Sequence, residues 1–142
     1  MPNQHGEFIW YELATENADA AQHFYSAVLG WRVTGKWRAV GGLMALTEEM
    51  KQCGARPVWL GYIGVDDVDR AVAKVTELGG SVQMPATNIP DVGRLAMVTD
   101  PQGTPFYVMR GNSDEASLAF ASDRPRVGHC AWNELATSDP DA

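Results

Sequence analysis

Apolar residues recur at helical spacing in two segments of the chain. They are Ala21, Phe24, Tyr25, Val28 and Leu29 in the first segment, and Val68, Ala71, Val72, Val75 and Leu78 in the second. Because steps of three and one residue put side chains on one face of a helix, this pattern predicts two amphipathic helices. We expect both helices to pack against the core.

Polar residues and glycines mark where these helices begin and end. The candidates are Thr15 or Asn17 before the first helix, Asp66 or Asp67 before the second, and Gly30 and Gly79-Gly80 after them. A side-chain oxygen at the N-cap accepts a free backbone N–H of the first turn, and glycine readily adopts the left-handed conformation that ends a helix.

Sequence typical of β-strands surrounds both helices. We predict strands over residues 8–14, 31–34, 40–46, 58–65, 81–84, 94–99 and 105–110. The last two strands flank Asp100-Pro101-Gln102-Gly103, which has residues that a type I turn favours and therefore predicts a hairpin. Pro105 cannot donate a ladder hydrogen bond, so we expect it at a strand start or a sheet edge.

The chain contains an internal repeat. Residues 6–20 overlay residues 128–142 with eight identities in fifteen positions, and Trp10-x-Glu12 recurs as Trp132-x-Glu134. We therefore expect a folded unit over 1–110, a linker over 111–127, and the start of a second, truncated copy over 128–142. The second copy stops where its helix should begin, which suggests a fragment of a longer two-copy protein.

The charge balance narrows the classes of partner. The chain has 11 basic and 18 acidic residues, a net charge of −7, and no basic cluster that would bind a phosphate backbone. No apolar run reaches membrane-spanning length, and the first residues do not resemble a secretion signal. We therefore expect a cytoplasmic protein that binds neither nucleic acid nor membrane. Cys53 and Cys130 match no metal or redox spacing.

Four ordered motifs resemble the vicinal oxygen chelate superfamily, which contains glyoxalases, bleomycin-resistance proteins and extradiol dioxygenases. They are Phe24-Tyr25-x-x-x-Leu29-Gly30-Trp31, Val65-Asp-Asp-Val-Asp69, Asp91-Val-Gly-Arg94 and Asp100-Pro-Gln-Gly103, within residues 7–110. The resemblance implies an α+β fold in which two βαβββ modules pair into an open, cleft-forming sheet. The modules would span about 7–56 and 57–110, and the repeat resembles the tandem branch of the superfamily.

The resemblance also implies four places for divalent-metal ligands in the cleft. Here those places carry Trp10, Leu60, Tyr107 and, where the alignment is least secure, Ala45. None offers the imidazole or carboxylate that such an ion prefers, and the histidines, His5, His23 and His129, lie elsewhere in the chain. We therefore expect no metal and no cofactor. The alternative is a metal-dependent lyase or dioxygenase of the same superfamily whose ligands are misplaced in this alignment.

Strand alternation predicts which side chains face the cleft. The inward set is Phe8, Trp10, Glu12, Ala14, Leu60, Tyr62, Gly64, Pro105, Tyr107 and Met109. Apolar walls with few polar groups are typical of small-molecule pockets, so we assign ligand binding to Trp10, Leu60, Tyr62, Tyr107 and Met109 and expect a small, flat organic molecule. The alternative is that these side chains only fill the core.

Glu12 is the leading candidate for a catalytic residue. A carboxyl among apolar side chains holds its proton more tightly, which suits a general acid or base, and Tyr62 could donate a hydrogen bond to an oxyanion. The alternative is a structural ion pair of Glu12 with Arg94 or Arg38.

For the whole chain, a catalytically silent interaction module is a further alternative. We expect residues 128–137, which have the alternation of a strand, to be either disordered or docked on a sheet edge, and docking on the edge of a neighbouring molecule would give a homodimer.

Overall fold

The computed structural model describes residues 2–32 and 41–141. Its elements are β1 (Phe8–Thr15), α1 (Ala18–Leu29), β2 (Gly42–Ala45), α2 (Glu48–Gln52), β3 (Val58–Gly64), α3 (Val68–Glu77), β4 (Ser81–Ile89), β5 (Gly93–Thr99) and β6 (Pro105–Gly111). Within these described ranges, no helix has the length and apolar character needed to cross a bilayer.

The strands form one six-stranded open sheet in the order β2-β1-β3-β6-β5-β4. Strand β1 runs parallel to β2, β3 runs parallel to β6, and the other neighbours are antiparallel. Strands β3 to β6 with α3 form a complete βαβββ module, which joins the first module where β1 pairs with β3. The predicted α+β fold with an open sheet is confirmed.

The first module departs from the strand prediction. Trp31 and Arg32 are not in a strand, and the rest of the predicted strand over 31–34 lies outside the described residues. The short helix α2 was not predicted. Its five residues are too few to show helical periodicity, although Thr47 accepts a hydrogen bond from the backbone N–H of Met50 at its start.

The local signals at the helix ends and the hairpin are confirmed. The side chain of Asn17 accepts a hydrogen bond from the Ala20 backbone N–H at α1, and that of Asp67 accepts one from Arg70 at α3. Gly30 ends α1 in the left-handed conformation. Strands β5 and β6 pair antiparallel across the Asp100 turn.

The two long helices pack differently. Val68 of α3 is 2% exposed and packs with Val98 and Val108 of the sheet. Helix α1 has no buried residue, and Phe24 and Val28 are 57% and 61% exposed. The prediction that α1 packs into the core is therefore wrong. Periodicity shows that a helix has one apolar face, but it does not show how much of that face the sheet covers.

A β-bulge in β1 removes Phe8 from the predicted inward set and adds Ile9 to it. The register of β1 against β3 shifts between Phe8 and Trp10. As a result Ile9 packs in the cluster with Tyr62, whereas the Phe8 ring stacks on Tyr11 on the opposite face, with centroids 5.8 Å apart. Because a bulge adds one residue to one strand, alternation fails across it. Phe8 therefore does not face the cleft.

Residues 112–141 contain no strand or helix and contact the first module. The Trp31 indole N–H donates to the Gly128 carbonyl at 2.8 Å, and the Tyr11 hydroxyl donates to Asn133 Oδ1 at 2.8 Å. Phe120 and Cys130 form an isolated bridge. Trp132, the repeat counterpart of Trp10, is 76% exposed.

Ser117 holds this segment to β1, which leads to a stability prediction. Its hydroxyl donates to the Ile9 carbonyl at 2.5 Å and accepts from the Ala119 N–H. We expect Ser117→Ala to lower the free energy of unfolding by about 1 kcal/mol, because a partly buried carbonyl loses its donor. Urea titration of this variant and of Ser122→Ala, a control at an exposed serine, measures the difference. Equal stability of the two variants would contradict the docking of this segment.

Candidate functional site

One face of the sheet brings together the aromatic side chains predicted to form a pocket. Tyr62 of β3 lies opposite Trp10 of β1 on one side and Tyr107 of β6 on the other. The two tyrosine rings stack with centroids 4.2 Å apart and planes 7° apart, and the residues are 7% and 8% exposed. Leu60 is buried beside them, and Met109 packs on the same cluster. All five predicted ligand-binding residues are therefore neighbours.

Glu12 lies at the partly exposed side of this cluster, opposite Leu60 in the β1–β3 register. Burial raises the pKa of the Glu12 carboxyl, and a hydrogen bond from the Tyr62 hydroxyl partly opposes that rise. Burial, followed by the nearby Glu12 charge, raises the pKa of Tyr107. The hydroxyls of Tyr62 and Tyr107 lie close enough for each to shift the pKa of the other. The carboxyl and the two phenols thus form one network of titratable groups that influence one another's pKa.

Gly42 of β2 is a site residue that the sequence analysis missed. It pairs with Glu12, and a Cβ atom added at Gly42 would lie 3.3 Å from Glu12 Oε2 and 3.4 Å from Trp10 Nε1. The absence of a side chain therefore lets the carboxyl and the indole lie against β2. The sequence could have indicated this, because a glycine within a strand often marks a place where another group approaches the backbone closely.

The ion-pair alternative for Glu12 loses one of its candidate partners. Arg94 donates to the two carboxylate oxygens of Asp69 on α3 at 2.8 and 2.7 Å, and this lowers the pKa of Asp69. Arg94 follows the alternation of Ala96 and Val98, which pack toward α3 on the face opposite Tyr107. Arg94 is thus a clamp between β5 and α3. Arg38 lies outside the described residues.

The positions that the resemblance assigns to metal ligands do not fit a divalent ion. Trp10, Leu60 and Tyr107 face the cleft as expected, but Ala45 pairs with Thr15 on the other face. Met44, which pairs with Ala14, takes the inward place, and its thioether is a poor ligand for a hard cation. Over residues 2–32 and 41–141, no three His, Cys, Asp or Glu side chains come close enough to hold a metal.

A complete βαβββ module joined in one open sheet to the strands of a first module, with an inward face of aromatic side chains, is typical of cleft-forming glyoxalase-like proteins. The sequence model of the Glyoxalase/Bleomycin resistance protein/Dioxygenase superfamily matches residues 7–108. The chain belongs to this superfamily, and the resemblance deduced from the four motifs is confirmed.

Several known proteins are similar to this chain. The Mycobacterium tuberculosis protein named "Putative glyoxylase CFP32" is 33% identical over 147 residues, which cover 93% of this chain and 54% of that protein. The Streptomyces peucetius "Anthracycline biosynthesis protein DnrV" is 37% identical over 114 residues, which cover 73% of this chain and 41% of that protein. The chain thus spans about half the length of the curated relatives it matches.

The solved structures support the fold. A methylmalonyl-CoA epimerase in complex with methylmalonyl-CoA and NH4+ has a TM-score of 0.60 and 17% identity, over 80% of this chain and 99% of the epimerase. A variant of Streptomyces coelicolor methylmalonyl-CoA epimerase has a TM-score of 0.58 and 16% identity, over 78% of this chain and 100% of the epimerase. At this identity the likeness shows the fold alone.

Proposed function

We propose that this protein is a metal-independent member of its superfamily that binds a small, flat organic molecule in the aromatic cleft and transfers a proton on it. The observation that carries the proposal is the network of Glu12, Tyr62 and Tyr107, which stands beside the indole of Trp10 where metal-dependent members place ion ligands. Aromatic walls with a few polar groups are typical of sites for small organic molecules.

The network supplies the groups that proton transfer requires. Ionised Glu12 can remove a proton from a carbon next to a carbonyl, and its raised pKa makes it a better base than an exposed glutamate. The phenol of Tyr107 can donate a hydrogen bond to the oxyanion that then forms. Glu12 returns the proton, so the step is balanced and needs no co-reactant.

The name of one relative supports a flat ligand. The Streptomyces peucetius protein is named for anthracycline biosynthesis, and its match covers 73% of this chain. We infer from this name, together with the stacked tyrosines, that polycyclic aromatic ketones are the first class to test.

We also propose that the native protein is a homodimer, which size-exclusion chromatography with light scattering would test.

Ligand binding can be tested by thermal shift with a panel of aromatic ketones and quinones. We expect at least one compound to raise the melting temperature of the wild type. The same compound should act less on Tyr107→Phe, which removes a hydroxyl from the cleft while keeping the ring. If no aromatic or electrophilic compound stabilises the protein, the proposal fails and the silent interaction module is favoured.

Metal content separates this proposal from a metal-dependent lyase or dioxygenase. We expect purified protein to hold well below one equivalent of Ni, Zn, Mn or Fe by elemental analysis, and we expect chelator treatment to leave ligand binding unchanged. The physical reason is that the inward side chains present indole, phenol, thioether and aliphatic groups, which leave a divalent ion without its preferred ligands. A stoichiometric metal that is lost in Glu12→Gln would overturn metal independence.

A further inference from the structure

We propose that the cleft selects uncharged aromatic carbonyl compounds and rejects the corresponding anions. This inference rests on the proposed function, because it names the class of molecule that the same site would take. It follows from the charges and the hydrogen-bonding groups of the side chains that face the cleft.

The charges of the cleft disfavour an anion. The register places these described side chains on the inner face: Trp10, Glu12, Ala14, Met44, Leu60, Tyr62, Leu95, Met97, Tyr107 and Met109. None of them is basic, and Glu12 is the one acid among them. A carboxylate or phosphate buried here would lose its hydration without gaining a cation and would meet a second negative charge when Glu12 is ionised.

The basic side chains of β5 and β6 belong to the opposite face. Arg94 is bound to Asp69, and Arg110, its partner in the β5–β6 register, donates to the Asp66 carbonyl at 3.2 Å. Both therefore lie toward the start of α3 and away from Tyr107. Lys36 and Arg38 fall outside the described residues, and the charges given above are those of the described walls of the cleft.

The hydrogen-bonding groups of the cleft favour an acceptor oxygen. The indole of Trp10 is a donor without acceptor capacity, and the Tyr107 hydroxyl can also donate. Trp10 Nε1 and Glu12 Oε2 both lie within 3.4 Å of one point above Gly42, so the indole N–H and the carboxyl border the same space above β2. When Glu12 holds its proton, it is a third donor. A ketone or quinone oxygen suits this set, because it accepts and carries no charge.

A matched pair of probes tests the inference. We would measure the affinities of 2-(hydroxymethyl)anthraquinone and anthraquinone-2-carboxylate by tryptophan fluorescence and calorimetry at pH 7.5. The two molecules share their rings and carbonyls and differ in one charge. We expect the carboxylate to bind at least about tenfold more weakly, since close like charges in a partly buried site are costly.

Two variants assign the selectivity to the cleft. Glu12→Gln should reduce the difference in affinity between the two probes, because it removes the like charge but keeps the size of the side chain. Glu134→Gln, the same change in the exposed copy of the motif, should leave that difference unchanged. Equal or tighter binding of the carboxylate by the wild type would overturn the inference and leave the proposed function standing. Failure of both probes to bind would count against both.

Discussion

Glu12→Gln should slow proton exchange at the carbon next to the carbonyl of a bound ketone by about 100- to 10,000-fold, the usual loss when a positioned general base is removed. The amide cannot accept the proton, but it has nearly the same shape and can still accept the hydrogen bond from Tyr62. Ligand affinity should therefore change little. The rate can be measured by NMR in D2O as the loss of the ligand's proton signal, and the affinity can be measured by thermal shift.

The internal repeat provides a matched control for this experiment. Glu134 lies in the same Trp-x-Glu-Leu-Ala-Thr sequence, but it is exposed and outside the cleft. Glu134→Gln should leave both the exchange rate and the affinity at wild-type values. If Glu12→Gln also exchanges at the wild-type rate, Glu12 has a structural role, and the alternative that these side chains only fill the core gains support.

The pH dependence of exchange follows from the direction of the Glu12 shift. The ionised carboxylate is the base, so the rate should fall as the pH drops through the pKa of Glu12. Because burial raises that pKa, the acid limb of the profile should lie above about 4.3, the value of an exposed glutamate. The titratable groups facing Glu12 from the described strands are Tyr62 and Tyr107. Tyr62→Phe removes a bond that lowers the pKa and should move the limb to higher pH.

Gly93→Ala should lower the free energy of unfolding by about 3 kcal/mol or more, or prevent folding. Gly93 has φ +139°, and a Cβ atom built there would lie 2.2 Å from the Arg110 carbonyl oxygen and 2.9 Å from the Gly111 Cα. Both atoms belong to the backbone of β6, so no side-chain rotation relieves the clash. The clash could be removed mainly by moving β5 away from β6, which would break their hydrogen bonds. Urea titration with circular dichroism measures the effect.

Gly103→Ala is the control that separates the clash from backbone strain. Gly103 also has a positive φ, +89°, but a Cβ atom there meets no atom within 4 Å. This variant should cost only about 1 to 2 kcal/mol, the price of a left-handed conformation for an L-residue. Similar losses in the two variants would show that the close approach of β6 to Gly93 is not what requires the glycine.

The sequence by itself determined the features that depend on neighbouring residues. The caps at Asn17 and Asp67 were among the predicted candidates, because a polar side chain satisfies backbone groups only a few residues away. The hairpin at Asp100 was fixed in the same way by its turn residues. Alternation from Tyr62 and Tyr107 also predicted correctly which side chains share a face, because both strands are regular there.

Only the tertiary structure decided the features that depend on distant contacts. The bulge at Phe8 arises from the register of β1 against β3, and the exposure of α1 depends on how much of its apolar face the sheet covers. The partner of Arg94 is Asp69, which lies 25 residues away in the chain. The place of Gly42 against Glu12 depends on the parallel pairing of β1 with β2. Periodicity and turn chemistry are local, whereas register and the pairing of charges are set when separate segments pack together.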